Sequence, residues 1–324
     1  MEKPVDLPFI SVIIPVKPGG KVRALEALRG LDYPPGRMEV IIAEGRQPSV
    51  QRNRAAAEAG GDILYFLDDD SMVTPGLFGI IAERFNNQKI SAVGGPIITP
   101  ETDSFLRKGF GLALSSAFGG ATIRARYCKV GTERKATEND LILANLAFRK
   151  SVFLGAGGFN EKLYPNEENE LMNRLQAEGH VFLYVPDAFL YRSQRPSLKA
   201  YMRQVFTYGR GRMDQNYAHP GGFRPLHLVP ALFLLYAASL LFINNLFYLI
   251  PAFIYIAANL FFSAAAAARA RNPLYIFLMP FLLLVLHLGY GAGFLWGAVK
   301  GLRTGAKAEF TGSIMLRRVE LGKQ

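Results

Sequence analysis

The chain has 324 residues, with 37 Lys+Arg against 26 Asp+Glu and a formal net charge of +11. Half of its residues are hydrophobic, which excludes a disordered chain, and a single cysteine, Cys128, excludes a disulfide framework or a multi-cysteine zinc site. Four scattered histidines (His180, His219, His227, His287) show no metal-ligand spacing, and no nucleic-acid motif accompanies the positive charge. The opening residues, MEKPVDLPFI, lack the apolar run of a secretory signal.

Strand and helix signals alternate from residue 9. Phe9–Pro15 is a short β-branched run that reads as a buried strand, and Lys21–Leu31 has helical spacing. Met38–Ala43 is a second strand, Ser49–Ala59 a helix, and Asp62–Leu67 a third strand running straight into Asp68-Asp69-Asp70. Leu77–Phe85 follows as a helix and Ser91–Ile98 as a strand. This alternation predicts an α/β domain with a mostly parallel sheet flanked by helices, whose ligands bind beyond the carboxyl ends of the strands. Those ends are Pro15-Val16-Lys17, Glu44 and Asp68–Asp70. Three adjacent acids repel one another, and a hard divalent cation such as Mg²⁺ or Mn²⁺, shared with substrate phosphates, would relieve that. A solvated acidic turn capping the next helix is the plainer alternative. Gly19-Gly20 marks a turn but is too short for a phosphate loop.

Arg124–Lys135 is basic and loop-like, and its Cys128 reads as a non-catalytic thiol. A second acidic cluster, Asn166–Leu171, opens a helical stretch that ends at Gly179. Its glutamates either favour the helix dipole or supply a general base. Residues 192–224 hold Arg192, Arg195, Lys199, Arg203, Arg210, Arg212 and Arg224 against Asp214 alone. Leu198, Tyr201, Met202, Val205 and Phe206 recur there at helical spacing, as in a helix lying on an anionic membrane surface. From Leu226 to Val299 the only charged side chains are Arg269 and Arg271, too few for a soluble core. Leu226–Ile243, Leu246–Ala268 and Leu274–Val299 are candidate spans, with a turn at Asn244-Asn245. The positive-inside rule places the Arg269/Arg271 loop in the cytoplasm, together with residues 1–225. Three spans would then export the basic tail (Lys300, Arg303, Lys307, Arg317, Arg318, Lys323) unless Pro280 or Gly289–Gly293 breaks the third.

In this order, these pieces resemble a family 2 glycosyltransferase of the GT-A fold. FISVIIPVKP resembles the family's opening strand, and SVQRNRAAAEAGGDILYFLDDDS the approach to its D-x-D motif. AGGFNEKLYPNEENELMNRLQAEG resembles the segment carrying the E-D motif. RQVFTYGRGR before apolar helices is similar to the membrane-bound, succinoglycan-type branch that makes exopolysaccharides. The resemblance implies a cytoplasmic catalytic domain at 1–191, a basic interfacial segment at 192–225, about three transmembrane helices at 226–299 and a basic tail at 300–324. The cell location it implies is the inner membrane, multi-pass, with the catalytic domain facing the cytoplasm.

The resemblance also implies roles. Pro15, Val16, Lys17 and Glu44 would border the nucleotide base, Arg52 the ribose or phosphates, and Asp68 and Asp69 the nucleotide sugar. Asp70, with Asp68, would hold Mg²⁺ or Mn²⁺. Glu168 occupies the general-base position, with Glu167 beside it, although that position is normally Asp; Lys17 also departs from the family pattern. The implied reaction is an inverting transfer from a nucleotide-diphospho-sugar to a hydroxyl of a saccharide carried on a polyprenyl diphosphate. Direct transfer to a polyprenyl phosphate is the rival, although such an acceptor needs no general base. A processive synthase would carry Q-x-x-R-W and more spans, and a nucleotidyltransferase a glycine-rich triphosphate loop. A non-catalytic membrane scaffold would have no use for intact acids at both positions.

Overall fold

The computed structural model describes residues 7–219, 223–243, 245–301 and 312–321. Asn244 of the expected turn and Arg303, Lys307 and Lys323 of the expected tail lie outside those residues. The chain forms two compact units that interleave in sequence. One holds the residues up to Ile98, Cys128–Ser193 and those from Ala308; the other holds Thr99–Tyr127 and Gln194–Lys307.

The first unit begins with β1 (Ile10–Val16), α1 (Ala24–Arg29), β2 (Met38–Glu44), α2 (Pro48–Glu58) and β3 (Ile63–Leu67). Next come β4 (Met72–Val73), α3 (Leu77–Phe85), β5 (Ile90–Gly94) and β6 (Ile97–Ile98). The second unit then supplies α4 (Phe105–Ser115). The first resumes with β7 (Arg134–Lys135), β8 (Asn145–Arg149), α5 (Lys150–Gly155), α6 (Glu167–Ala177), β9 (Val181–Tyr184) and β10 (Leu190–Tyr191). The remaining helices are α7 (Leu198–Ala218), α8 (Val229–Ser239), α9 (Ile250–Arg269) and α10 (Tyr275–Gly301), and β11 (Met315–Val319) closes the chain.

Apolar runs without alternation become central strands: every residue of β3 is buried, as helices on both faces require. The sheet order is β11-β2-β1-β3-β8-β5-β9-β7. β1 pairs parallel with β2 and β3, and β5 with β9. β8 lies antiparallel between β3 and β5, and β11 and β7 close the two edges antiparallel. The expected mostly parallel sheet is therefore mixed. The βα alternation before residue 98 has no bearing on a strand that returns at Asn145, after the excursion through the second unit. Asn145 is fully buried, accepts from the Tyr65 hydroxyl at 2.6 Å and donates to Pro96 O and Ala188 O. Phe66, Phe148, Phe153 and Phe159 pack edge to face or tilted beneath the end of β3, each buried ring contributing about 2–3 kcal/mol.

In the second unit α10 is the central helix. Its glycines are sites of close approach rather than a break: a Cβ on Gly293 would lie 1.9 Å from Phe206 O of α7, and one on Gly291 2.3 Å from Pro230 O of α8. The helix runs unbroken from Tyr275 to Gly301 through Pro280, whose carbonyl accepts from Asn259 of α9. Beside this glycine stripe α7 buries a mixed side: Tyr201 and Val205 in its first half, Arg212, Gln215 and Asn216 in its second. Tyr201 stacks on Phe110 at 4.3 Å and, with Val205, is buried in protein instead of facing a membrane surface; Met202 is exposed. The 11-residue α8 is about 17 Å long, short of the ~30 Å hydrocarbon layer. Among the described residues two helical stretches, against the three expected, are long and apolar enough to cross a membrane: Leu246–Arg269 and Tyr275–Gly301.

Candidate active site

Parallel pairing aligns the carboxyl ends of β2, β1 and β3, with Val16 opposite Glu44 in register. Past that edge the chain turns. Gly20 N–H donates to Lys17 O at 2.8 Å, Gly19 sits at φ +70, and Glu44 Oε1 accepts from Gly19 N at 3.0 Å. Glu44 thus shapes the turn that carries Lys17. Val16 is buried, Pro15 half-buried and Lys17 exposed. Gln51, which the sequence did not single out, donates its amide to Val16 O and Ala43 O and ties the ends of β1 and β2 together.

At the end of β3 the chain leaves the sheet through Asp68–Asp70, all half-buried. Asp69 O accepts from Ala24 N at the start of α1, and Asp68 O from Ser71 N. The Asp69 carboxyl is raised above the usual carboxylate range, by burial first and by repulsion from Asp70 and Asp68 next. Two arginines face this turn. Arg52, on α2 and 5% exposed, reaches Asp68 Oδ1 at 3.3 Å and Glu167 Oε1 at 2.9 Å. Arg192 reaches Asp68 Oδ2 at 3.0 Å and Asp70 Oδ1 at 2.6 Å. The pairing of β10 with β4, with Tyr191 opposite Met72, delivers Arg192 to this position. Counted by sequence with the basic bridge, Arg192 proves to be part of the acidic site. Its partners lie over 120 residues away, and no local pattern points to them.

The other wall is the stretch before α6. α2 holds it: Ser49 Oγ donates to Leu163 O, and Asn53 donates to Phe159 O and accepts from Phe159 N. Gly158, at φ +70, leaves no room for a Cβ, which would lie 2.6 Å from Asn53 Oδ1. Asn166 then takes a left-handed φ of 79, and α6 begins at Glu167. Glu167 is 2% exposed and its Oε2 makes no hydrogen bond. Burial pushes its carboxyl up to about 7, Arg52 pulling down and Glu168 pushing further up. Glu168, at 8% exposure, follows on the first turn of the helix. Farther along, Arg174 grips Glu170, Ala156 O and Gly158 O.

Among the described residues no group of three or more His, Cys, Asp or Glu side chains could hold a metal ion. The oxygen donors at hand are Asp68 and Asp70, and a positive guanidinium already stands against both. This donor set fits a hard cation that takes one or two carboxylates and completes its shell with phosphate oxygens and water, the habit of Mg²⁺ and Mn²⁺.

The profile described as glycosyl transferase family group 2 matches residues 63–296, over two thirds of the chain. The chain belongs to that family. The match runs from β3 and the acidic turn, through α6, into the helices of the second unit, so this glycosyltransferase carries both units as family features. No curated protein matches the chain. Among solved structures it resembles the mannosyltransferase PcManGT from Pyrobaculum calidifontis, determined with GDP-Man and Mn²⁺. The TM-score is 0.56 at 16% identity, over 93% of this chain and 91% of that one. It also matches S. aureus TarS with a TM-score of 0.41 at 15% identity, over 62% of this chain and 39% of that one. The likeness to PcManGT establishes a GT-A-like fold.

Proposed function

We propose that this glycosyltransferase moves a sugar, with inversion, from a nucleotide-diphospho-sugar to a hydroxyl of a membrane-borne, polyprenyl-diphosphate-linked saccharide, as in the exopolysaccharide branch. The observation that carries the reading is the Arg52 bridge, which joins Asp68 on the donor side to Glu167 on the base side. PcManGT, whose fold this chain shares, holds GDP-Man with Mn²⁺. Here Pro15, Val16, Lys17 and Glu44 border the base, and Asp68 and Asp69 lie on the sugar-nucleotide side. Asp70 and Asp68 would hold a divalent cation, which would supply neutralisation of the charge that develops on the leaving diphosphate. Glu168 takes the proton from the acceptor hydroxyl while its oxygen attacks the anomeric carbon. The bond from that carbon to the diphosphate oxygen breaks, and the nucleoside diphosphate leaves. Glu167, engaged by Arg52, orients the start of α6 and leaves the base role to Glu168.

The helices suit attachment to the cytoplasmic membrane in more than one pass. β11 pairs with β2 in the first unit, which favours an even number of crossings between Ser193 and residue 312. The positive-inside rule favours the basic Arg269/Arg271 loop on the cytoplasmic side with residues 1–225.

The test incubates detergent-solubilised protein with a panel of nucleotide sugars, Mn²⁺ or Mg²⁺, and a polyprenyl-linked acceptor extract. Metal-dependent, acceptor-stimulated release of nucleoside diphosphate is expected, with Asp70→Asn and Glu168→Gln both inactive. Full activity of Glu168→Gln would remove the base assignment and favour a polyprenyl phosphate acceptor.

A further inference from the structure

Arg192 holds one oxygen of Asp68 and one of Asp70, and Arg52 holds the other oxygen of Asp68. The two arginines differ in freedom. The Arg52 side chain is 6% exposed and tied to Glu167, whereas that of Arg192 is 21% exposed and sits just past the two-residue strand β10. Three consecutive aspartates are costly without a counter-charge, and Arg192 is the counter-charge that can leave.

We propose that Arg192 is a resident counter-ion of the aspartate pair, one that competes with the divalent cation and so couples cation binding to diphosphate binding. The inference rests on the metal–diphosphate reading of Asp68 and Asp70. A cation arriving alone must displace a guanidinium ion-paired to both carboxylates and brings it no anionic partner in return. A cation arriving with a nucleoside diphosphate brings that partner, because the planar guanidinium fork fits phosphate oxygens as well as it fits carboxylates. The protein therefore binds the cation weakly by itself and strongly with the diphosphate. Arg52 is too firmly held to make this exchange and stays on Asp68 throughout. The division explains why two arginines serve one acidic turn.

The test measures Mn²⁺ binding by the electron paramagnetic resonance signal of the free ion, on the full-length protein in detergent. The protein is titrated with Mn²⁺ alone, then with Mn²⁺ in the presence of UDP or GDP. Removal of one bidentate charged contact by Arg192→Gln is expected to tighten binding of Mn²⁺ alone by about tenfold. The gain in Mn²⁺ affinity that UDP or GDP brings is expected to shrink by a similar factor. Arg192→Lys keeps the charge but loses the fork, and is expected between the two. A merely structural Arg192 gives the opposite sign: its loss disorders the turn and weakens Mn²⁺ binding. Unchanged or weaker binding of Mn²⁺ alone in Arg192→Gln, or no Mn²⁺ binding in either chain, overturns the proposal. If Arg192→Gln does not fold, Arg192→Lys decides, and wild-type Mn²⁺ affinity there overturns it as well. The readout needs no sugar transfer. Failure of the wild type to turn over any donor therefore counts against the proposed function alone.

Discussion

The site has two acidic ends, and burial sets them apart. Asp68–Asp70 stand half-buried on a turn at the sheet edge, while Glu167 and Glu168 open α6 at 2% and 8% exposure. At the first end the charge is balanced by the partly exposed Arg192, which on the proposed reading exchanges with a divalent ion and its phosphates. At the second it is balanced by Arg52, fixed between α2, Asp68 and Glu167. On the proposed reading, like-charged residues thus take different duties, with an exchangeable counter-charge where a substrate enters and leaves and a permanent one where the base is held.

The largest expected effect breaks the permanent end. Arg52→Met leaves Glu167 buried without its ion-pair partner, and loss of one member of a buried pair costs about 3–5 kcal/mol. A large drop in the thermal midpoint is expected, recovered in good part by Arg52→Met combined with Glu167→Met. No recovery in the double variant would mean that Arg52 matters through Asp68 instead. Gly158→Ala acts on the same wall one step away. Positive φ and the close Asn53 amide oxygen predict a loss of about 1–3 kcal/mol, read by denaturant unfolding.

Legibility followed the same division. The acidic turn was readable because a wholly apolar strand running into three acids is a local pattern, and α6 because its acids open a helical repeat. The glycines of α10 were visible but misread. In sequence they suggest a break, and only the backbones of α7 and α8 against them show that they permit close packing. β8 and Arg192 were unreadable for a common reason: each takes its place from pairings with residues far along the chain. Among the described residues one of the three expected spans falls short, because hydropathy does not register that the α-helix from Val229 is only 11 residues long.

A smaller effect separates the two ends by pH. Unfolded, Glu167 titrates near 4.5; folded, near 7. Between those values the folded chain keeps a proton that the unfolded chain has lost, so this group's contribution falls as pH rises through the window. Thermal midpoints taken across it are expected to decline more steeply in the wild type than in Glu167→Gln. Equal slopes would mean that Arg52 holds Glu167 ionised throughout.

The smallest stability effect is expected where the functional effect is greatest. Asp70 is the most exposed of the residues that pair with Arg192, its side chain at 41%. Asp70→Asn loses that ion pair but also removes one of three neighbouring negative charges. Exposed pairs contribute only about 0–1 kcal/mol, so the two changes nearly cancel and the thermal midpoint should barely move. Mn²⁺ binding in the presence of UDP or GDP should nevertheless be lost, because amide oxygen is a poor substitute for carboxylate toward a hard cation. A destabilised Asp70→Asn that still binds Mn²⁺ would reverse the comparison. The acidic turn would then be the structural end of the site, and the cation would have to be sought on Asp68 and Asp69.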